Sequence, residues 1–373
     1  MKQYIHKKKR VFVHAYLARN LGDDLFIYIL CKRYPSVRFS VLADRSYQDM
    51  SREMPNLRVY CNDDRLVKRW DYFLKQVKHV DYGFWKMQIK FSDAVIHIGG
   101  SSFVQHSDDY HSFLECDRTL RRLSKRMYLI GSNFGPYTDD NYYHQYYQLF
   151  REYDGICFRD CSSYKMFEKL NNVRMAPDVV FQLRKGLDKG RESEKRVLIS
   201  VIDLEWRGGK YSIREYMEPY EKLIQKAAEF YLEKGYIVDF VSFCEGQGDG
   251  RAIDRITGRM EKSDRIRKHC YHNNLKEILV LFSSTQIVIG TRFHSIILGW
   301  VYGKKVLPIV YDKKTQNVLD DLGYCNYLKL EELSSCNLAD KLEKIHGLED
   351  KMVNQLAGES EEQFWAVDDW LKG

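Results

Sequence analysis

The chain has 373 residues, 44% of them hydrophobic and 30% charged, enough for roughly two or three domains and too balanced for a disordered tail or a collagen-like repeat. Its formal charge of +7 is unevenly spread: residues 1–183 hold 29 Lys+Arg against 21 Asp+Glu, and residues 184–373 hold 30 against 31. The whole excess lies in the N-terminal half, which points to an anionic partner there.

Residues 11–15 predict a strand, 24–33 a helix opening just after Gly22, and 37–42 a second strand. Residues 94–98 form a short apolar run that ends in Gly99-Gly100-Ser101-Ser102. The pattern repeats at 127–130 before Gly131 and at 155–158 before Arg159-Asp160. Repeated strand–glycine–helix units predict a parallel sheet with helices on its faces. Nine of the 13 residues at 184–196 are charged and two are glycine, which predicts an interdomain linker. Strands are predicted again at 197–202, 236–243, 286–289 and 306–310, with helices at 213–234, 251–260, 275–283, 293–302 and 315–322. The end, 351–371, reads as a helix with Trp365 and Trp370 free to pack.

The expected fold is therefore α/β, with two Rossmann-like domains facing a central cleft, residues 1–183 and 197–350. Residues 184–196 join them and a C-terminal helix, 351–373, follows. The carboxyl ends of the strands should face the cleft. No apolar run approaches the ~18 residues of a membrane span, and the N-terminus lacks the apolar core of a signal peptide, so a cytoplasmic protein is expected. Nine cysteines without a Cys-x-x-Cys pair read as reduced thiols.

The segment with the most chemistry is Gly290-Thr291-Arg292-Phe293-His294-Ser295, between an apolar strand and an apolar helix. A helix start offers outward amides and a dipole that favours an anion. Arg292 adds a bidentate fork for carboxylate or phosphate, and His294 can move a proton near neutral pH. The plainer alternative is that His294 caps or packs the helix start and Arg292 pairs with a surface acid. Lys314, in Tyr311-Asp312-Lys313-Lys314, follows the next strand on the same side of the sheet; spacing allows it either to reach the same anion or to be a solvated loop lysine. In Asn20-Leu21-Gly22-Asp23-Asp24, one aspartate can cap the helix and the other, Asp24, is free to act as a base or bind sugar hydroxyls. Gly99–Ser102, Gly131–Pro136, Arg159-Asp160 and Ala176–Asp178 are further strand-end loops, with Asp178 suited to holding Arg159.

Other features carry less. Gly246-Gln247-Gly248-Asp249-Gly250 follows a strand, but Arg251 stands where a dinucleotide fingerprint needs its third glycine. There is no Asp-x-Asp metal clamp. His106–His111 and His269–His272 each lack a third ligand, so no metal is expected. Tyr142, Tyr143, Tyr146, Tyr147 and Phe150 share helical spacing and predict a packed helix face. Without interleaved basic residues they do not predict a nucleic-acid surface.

Together, in order, the segments 20–24, 98–102, 131–136, 158–163, 176–178, 290–295 and 311–314 resemble the polysaccharide pyruvyltransferase family, over about residues 11–325. The chain departs from the family pattern at Gly99-Gly100-Ser101, where three glycines are common, and at Gly131-Ser132-Asn133 in place of Gly-Gln-Gly. Both departures bear on the identity of the acceptor.

The resemblance implies a fold similar to glycosyltransferase-B. It also implies transfer of the carboxyethylidene group of phosphoenolpyruvate onto two sugar hydroxyls, in exopolysaccharide or capsule synthesis, with release of phosphate and without a cofactor. On this basis Arg292, His294 and Asp24 are the catalytic candidates. The donor falls to Arg292, His294, Ser295 and Arg159 or Lys314. The acceptor falls to Asn20, Asp23, Asp24, Ser101, Ser102 and Asn133. The basic first domain is expected to face a polyprenyl-diphosphate-linked sugar at an anionic membrane surface. Two alternatives stand beside this reading: a nucleotide-sugar glycosyltransferase and a non-catalytic glycan-binding protein.

Overall fold

The computed structural model describes residues 8–78, 81–187, 195–206 and 211–373. Seven parallel strands build the first sheet: β1 (Arg10–His14), β2 (Arg38–Ala43), β3 (Leu57–Cys61), β4 (Ala94–Ile98), β5 (Met127–Ser132), β6 (Gly155–Phe158) and β7 (Val173–Met175). Their order across the sheet is β3-β2-β1-β4-β5-β6-β7. Six parallel strands build the second: β8 (Arg196–Ser200), β9 (Ile237–Ser242), β10 (Ile266–Cys270), β11 (Ile287–Gly290), β12 (Lys305–Val310) and β13 (Leu328–Lys329). Their order is β10-β9-β8-β11-β12-β13.

Helices cover both faces of each sheet, so inner strands are apolar runs. Every residue of β4 is buried, as expected for parallel strands enclosed on two sides. The outer strands β3 and β10 mix polar and apolar residues and stay partly exposed. Neither carries an apolar run, so neither is predicted from the sequence. Each sheet reverses its strand order beside its first strand, between β1 and β4 and between β8 and β11. A crevice opens outside the carboxyl ends at such a reversal, and the loops there carry Asn20–Asp24, Gly99–Ser102 and Thr291–His294.

The helix Leu21–Arg33 is buried at Leu21, Gly22 and Asp24 through Cys31. An element enclosed on all sides needs an apolar surface all round, and this one packs against the helix Phe293–Val301 of the second domain. One hydrophobic cluster therefore runs from Val11 and Phe26 to Phe293 and Trp300. The tyrosine-rich helix Asp140–Phe150 buries Tyr142, Tyr146 and Phe150.

Of the predicted linker, 188–194 lies outside the described residues. Arg184, Lys185 and Gly186 close a 3₁₀ helix, Val179–Gly186, and Arg196 opens β8. The C-terminal segment is not one helix. Asp350–Glu359 is followed by a 3₁₀ turn, Ser360–Phe364, and then by Trp365–Lys372. It crosses back onto the first domain: Gln363 accepts from Gly131 N at 2.8 Å and donates to Ala176 O at 2.7 Å. Asp368 accepts from Arg33 and from Tyr34 Oη, both at 2.6 Å. Among the described residues, no helix is long and apolar enough to cross a membrane.

Candidate active site

His294 stands at the start of the helix that leaves β11. Its Nε2 lies 3.4 Å from Arg159 Nη1 and 3.6 Å from Asp178 Oδ2. Arg159 follows β6. Its Nη1 donates to Asp178 Oδ2 at 2.9 Å and its Nη2 to Asn133 Oδ1 at 2.8 Å, with the guanidinium 4.3 Å from the centre of the Phe293 ring. Asp178 also caps its own 3₁₀ helix, since its Oδ1 accepts from Val180 N at 2.8 Å. Burial alone would raise the Asp178 pKa. The hydrogen bond and charge of His294, with the charge of Arg159, outweigh that and hold it down at about 2.

Two glycines make room for this cluster. A side chain at Gly22 would occupy the space of the His294 ring, far inside van der Waals contact with Nδ1. A methyl group at Gly100 would stand 2.5 Å from Arg159 Nη2. Backbone can approach those two side chains so closely only where no Cβ intervenes.

The two adjacent aspartates divide differently from the sequence expectation. Successive helix residues point about 100° apart, and the cleft side falls to Asp23. Asp23 is half-buried and senses the charges of His294, Lys314, Arg159 and Arg292, although burial dominates and raises its pKa. Asp24, the expected base, is fully enclosed and accepts from Tyr271 Oη at 2.7 Å across the domain boundary. Burial, with the neighbouring Asp23 charge, lifts its pKa to about 8 against the Tyr271 hydrogen bond. Asn20, expected to hold the acceptor, caps the helix: its Oδ1 accepts from Gly22 N at 3.0 Å.

Arg292 also differs from expectation. Its Nε donates to Asp249 Oδ2 at 3.0 Å, its Nη2 to Asp249 Oδ1, and its Nη1 to Gln247 Oε1 at 2.6 Å. The fork expected to meet a ligand anion is thus closed on an internal carboxylate. Asp249 in turn accepts from the Phe243 and Cys244 amides, both at 3.0 Å. The Ser295 hydroxyl, expected at the donor, is buried, donates to Arg292 O at 2.6 Å and meets Ser200 Oγ at 2.5 Å. Asn133 spends its Oδ1 on Arg159.

Lys314 is more open, with its side chain 23% exposed. It donates to Ser101 Oγ of the first domain at 3.1 Å and lies 3.4 Å from Asp312 Oδ2. Ser102 Oγ and Asp23 Oδ1 both flank Gly99. Strand ends of both domains therefore bring together an imidazole, a buried arginine–aspartate pair, a partly open lysine and a half-buried carboxylate.

A family model described as polysaccharide pyruvyl transferase matches residues 20–313. The chain belongs to the polysaccharide pyruvyl transferase family. The match spans the residues of both domains that build this cluster, except Lys314, one position beyond its end. A relative, the amylovoran biosynthesis protein AmsJ of Erwinia amylovora, is 26% identical over 258 residues, 63% of this chain and 61% of that protein. The aligned part is therefore less than two thirds of the relative's length.

Among solved structures, the UDP-GlcNAc 2-epimerase of Methanocaldococcus jannaschii superposes with a TM-score of 0.59, covering 97% of this chain and 100% of that one. Anabaena Alr3699/HepE gives 0.57 over 97% and 100%. Both are 10% identical to this chain, so the likeness is one of fold. This pyruvyl transferase family member has the two-domain, glycosyltransferase-B-like arrangement.

Three residues of its site carry no signal as ligands in the sequence alone. Tyr271 follows a polar edge strand, and Phe293 reads as one more apolar helix residue. Asp249 lies in the glycine-rich run that fails as a dinucleotide fingerprint; those glycines mark the turn that brings Gln247 and Asp249 onto Arg292. Among the described residues, His14, His97 and Asp117 cluster, as do Cys61, Asp63 and Asp64. Neither group includes a residue of the site.

Proposed function

We propose that this protein transfers the carboxyethylidene group of phosphoenolpyruvate to two hydroxyls of one sugar in a polysaccharide or its lipid-linked precursor. Family membership supports pyruvyl transfer, and the name of the Erwinia relative supports a polysaccharide acceptor. The observation that carries the reading is the meeting of His294 with Arg159 and Asp178 across the two domains, beside Lys314 and Asp23.

The chemistry balances without a redox partner. Phosphoenolpyruvate gains a proton at its methylene carbon, and its second carbon becomes electrophilic. One sugar hydroxyl adds there, a second displaces phosphate, and the two C–O bonds close a cyclic ketal. Of the two hydroxyl protons lost, one balances the methyl group and the other leaves with phosphate. His294 is the proton donor to carbon, and Asp178 with Arg159 keeps its ring in place. Lys314, the partly open cation, receives an anionic group of the donor, and the buried Arg159 and Arg292 add positive charge from behind their bonds to Asp178 and Asp249. Asp23 takes the hydroxyl proton, in place of the enclosed Asp24.

The test is phosphate release from phosphoenolpyruvate with a panel of free and lipid-linked sugars. Wild-type protein should release phosphate with at least one acceptor. His294→Ala should release none while it still folds, as read from its circular dichroism spectrum. Near-normal turnover by that variant would remove His294 from the chemistry. Release of a nucleoside diphosphate from a nucleotide sugar, with no response to phosphoenolpyruvate, would replace the reading with glycosyl transfer.

A further inference from the structure

The helix Arg65–Lys78 is unlike the others of the first domain. Its inner side packs through Val67, which is buried, and through Leu74, which touches Gly83 of the neighbouring helix Gly83–Phe91. A second line of large apolar side chains faces outward: Leu66 is 71% exposed, Trp70 46%, Phe73 50% and Val77 59%. At 100° per residue these four fall within about 60° of arc, so they form one continuous stripe along the helix. The Trp70 and Phe73 rings meet edge to face, 6.1 Å apart. Phe91, at the end of the adjoining helix, is exposed as well.

The charge on this helix is as one-sided as its apolar surface. Within the helix Arg65, Lys68, Arg69, Lys75 and Lys78 stand against a single acid, Asp71, which accepts from Phe84 N at 2.7 Å, while Lys75 pairs with Asp81 beyond the helix at 3.0 Å. Helices with a Trp/Phe/Leu face and a Lys/Arg-rich polar face lie in the plane of a lipid interface, with rings among the acyl chains and cations among the headgroups. An apolar stripe flanked by so many cations suits an anionic lipid surface better than the apolar core of a protein interface, which is depleted of charge. The helix starts just beyond Cys61, at the cleft-facing end of β3. A bilayer bound to it would lie next to the edge of the sheet that carries Asp23 and Ser102.

We propose that the helix Arg65–Lys78 docks this protein onto an anionic bilayer, inserting Leu66, Trp70, Phe73 and Val77 to interfacial depth. This goes beyond the transferase reading and does not depend on it, because binding is measured without turnover.

The test is flotation of the full chain with vesicles of phosphatidylcholine alone and with phosphatidylglycerol added. The expected result is co-flotation with the anionic vesicles only, weakened by 0.5 M salt as surface electrostatics are screened. The variant Trp70→Ser/Phe73→Ser should lose at least tenfold in vesicle binding while keeping the melting temperature of wild type. Leu66→Ser/Val77→Ser provides a second, independent removal of the stripe. Equal flotation of wild type and both variants would overturn the proposal. So would a wild-type dimer in sedimentation that either variant dissolves, with no binding to anionic vesicles, because the stripe would then belong to a second copy. Phosphate release by soluble acceptors should be the same in wild type and variants. Loss of flotation with turnover intact separates this inference from the catalytic one.

Discussion

The His294 ring of the second domain occupies the space that a side chain at Gly22 of the first would fill. The contact works in both directions. Gly22 needs no Cβ because the imidazole is there, and the imidazole reaches the Arg159–Asp178 pair because Gly22 lets it pass.

Gly22→Ala should therefore either displace His294 or push the domains apart. Forced overpacking of this kind costs about 1–3 kcal/mol, and phosphate release should fall at least a hundredfold. In a His294→Ala background the same substitution should cost almost nothing in stability, since the two positions share one space. Melting temperatures of the four proteins of the cycle check this; additive losses would show that the ring and the glycine are independent.

Asp178 and Arg159 are both almost fully enclosed, so removing one charge strands the other. Asp178→Asn should cost about 3 kcal/mol or more. The native Asp178 pKa, about 2, lies below its ordinary value of 3.8. Its stabilisation is therefore present above pH 3.8 and is lost as pH falls toward 2. Thermal unfolding from pH 5 to pH 2 should show that loss in the wild type and a flatter curve in the variant.

The opposite sign applies to Asp24, whose pKa is raised from 3.8 to about 8. The folded state favours the protonated carboxyl, so its contribution is present at low pH and declines as pH rises from about 4 to 8. Asp24→Asn keeps a group that can accept from Tyr271 and removes that titration. The variant should gain stability relative to wild type as pH rises from 5 to 8, and phosphate release should remain within a few-fold of normal. A loss of a hundredfold or more would return Asp24 to the chemistry.

Among the described residues, Lys314 is held by Ser101 and Asp312, and it remains partly open. Lys314→Ala should raise KM for phosphoenolpyruvate about tenfold, with kcat changed less and the melting temperature nearly unchanged. Steady-state kinetics decide it; an unaltered KM would place the donor's anionic groups elsewhere.

The part of this protein that was legible in its sequence is what local pattern encodes. Buried parallel strands are mostly apolar, and several of the turns after them carry glycine. The strand–glycine–helix rhythm of 94–102 and 286–295 therefore placed β4, β11 and the loops after them, with His294, Arg159 and Asp178 among the candidates. Edge strands such as β10, half exposed and polar, left no such trace. Which of two adjacent side chains faces the cleft was decided by tertiary structure. Asp23 and Asp24 have the same chemistry and differ by about 100° on one helix, and only packing against the second domain turned Asp24 toward Tyr271. Arg292 is likewise a good anion fork by type, but the turn at Gly248 delivered Asp249 to it from 43 residues away. Sequence determined which residue types stand at the strand ends. Long-range pairing determined which of them are already satisfied, because a buried charge must find its partner wherever the fold brings one.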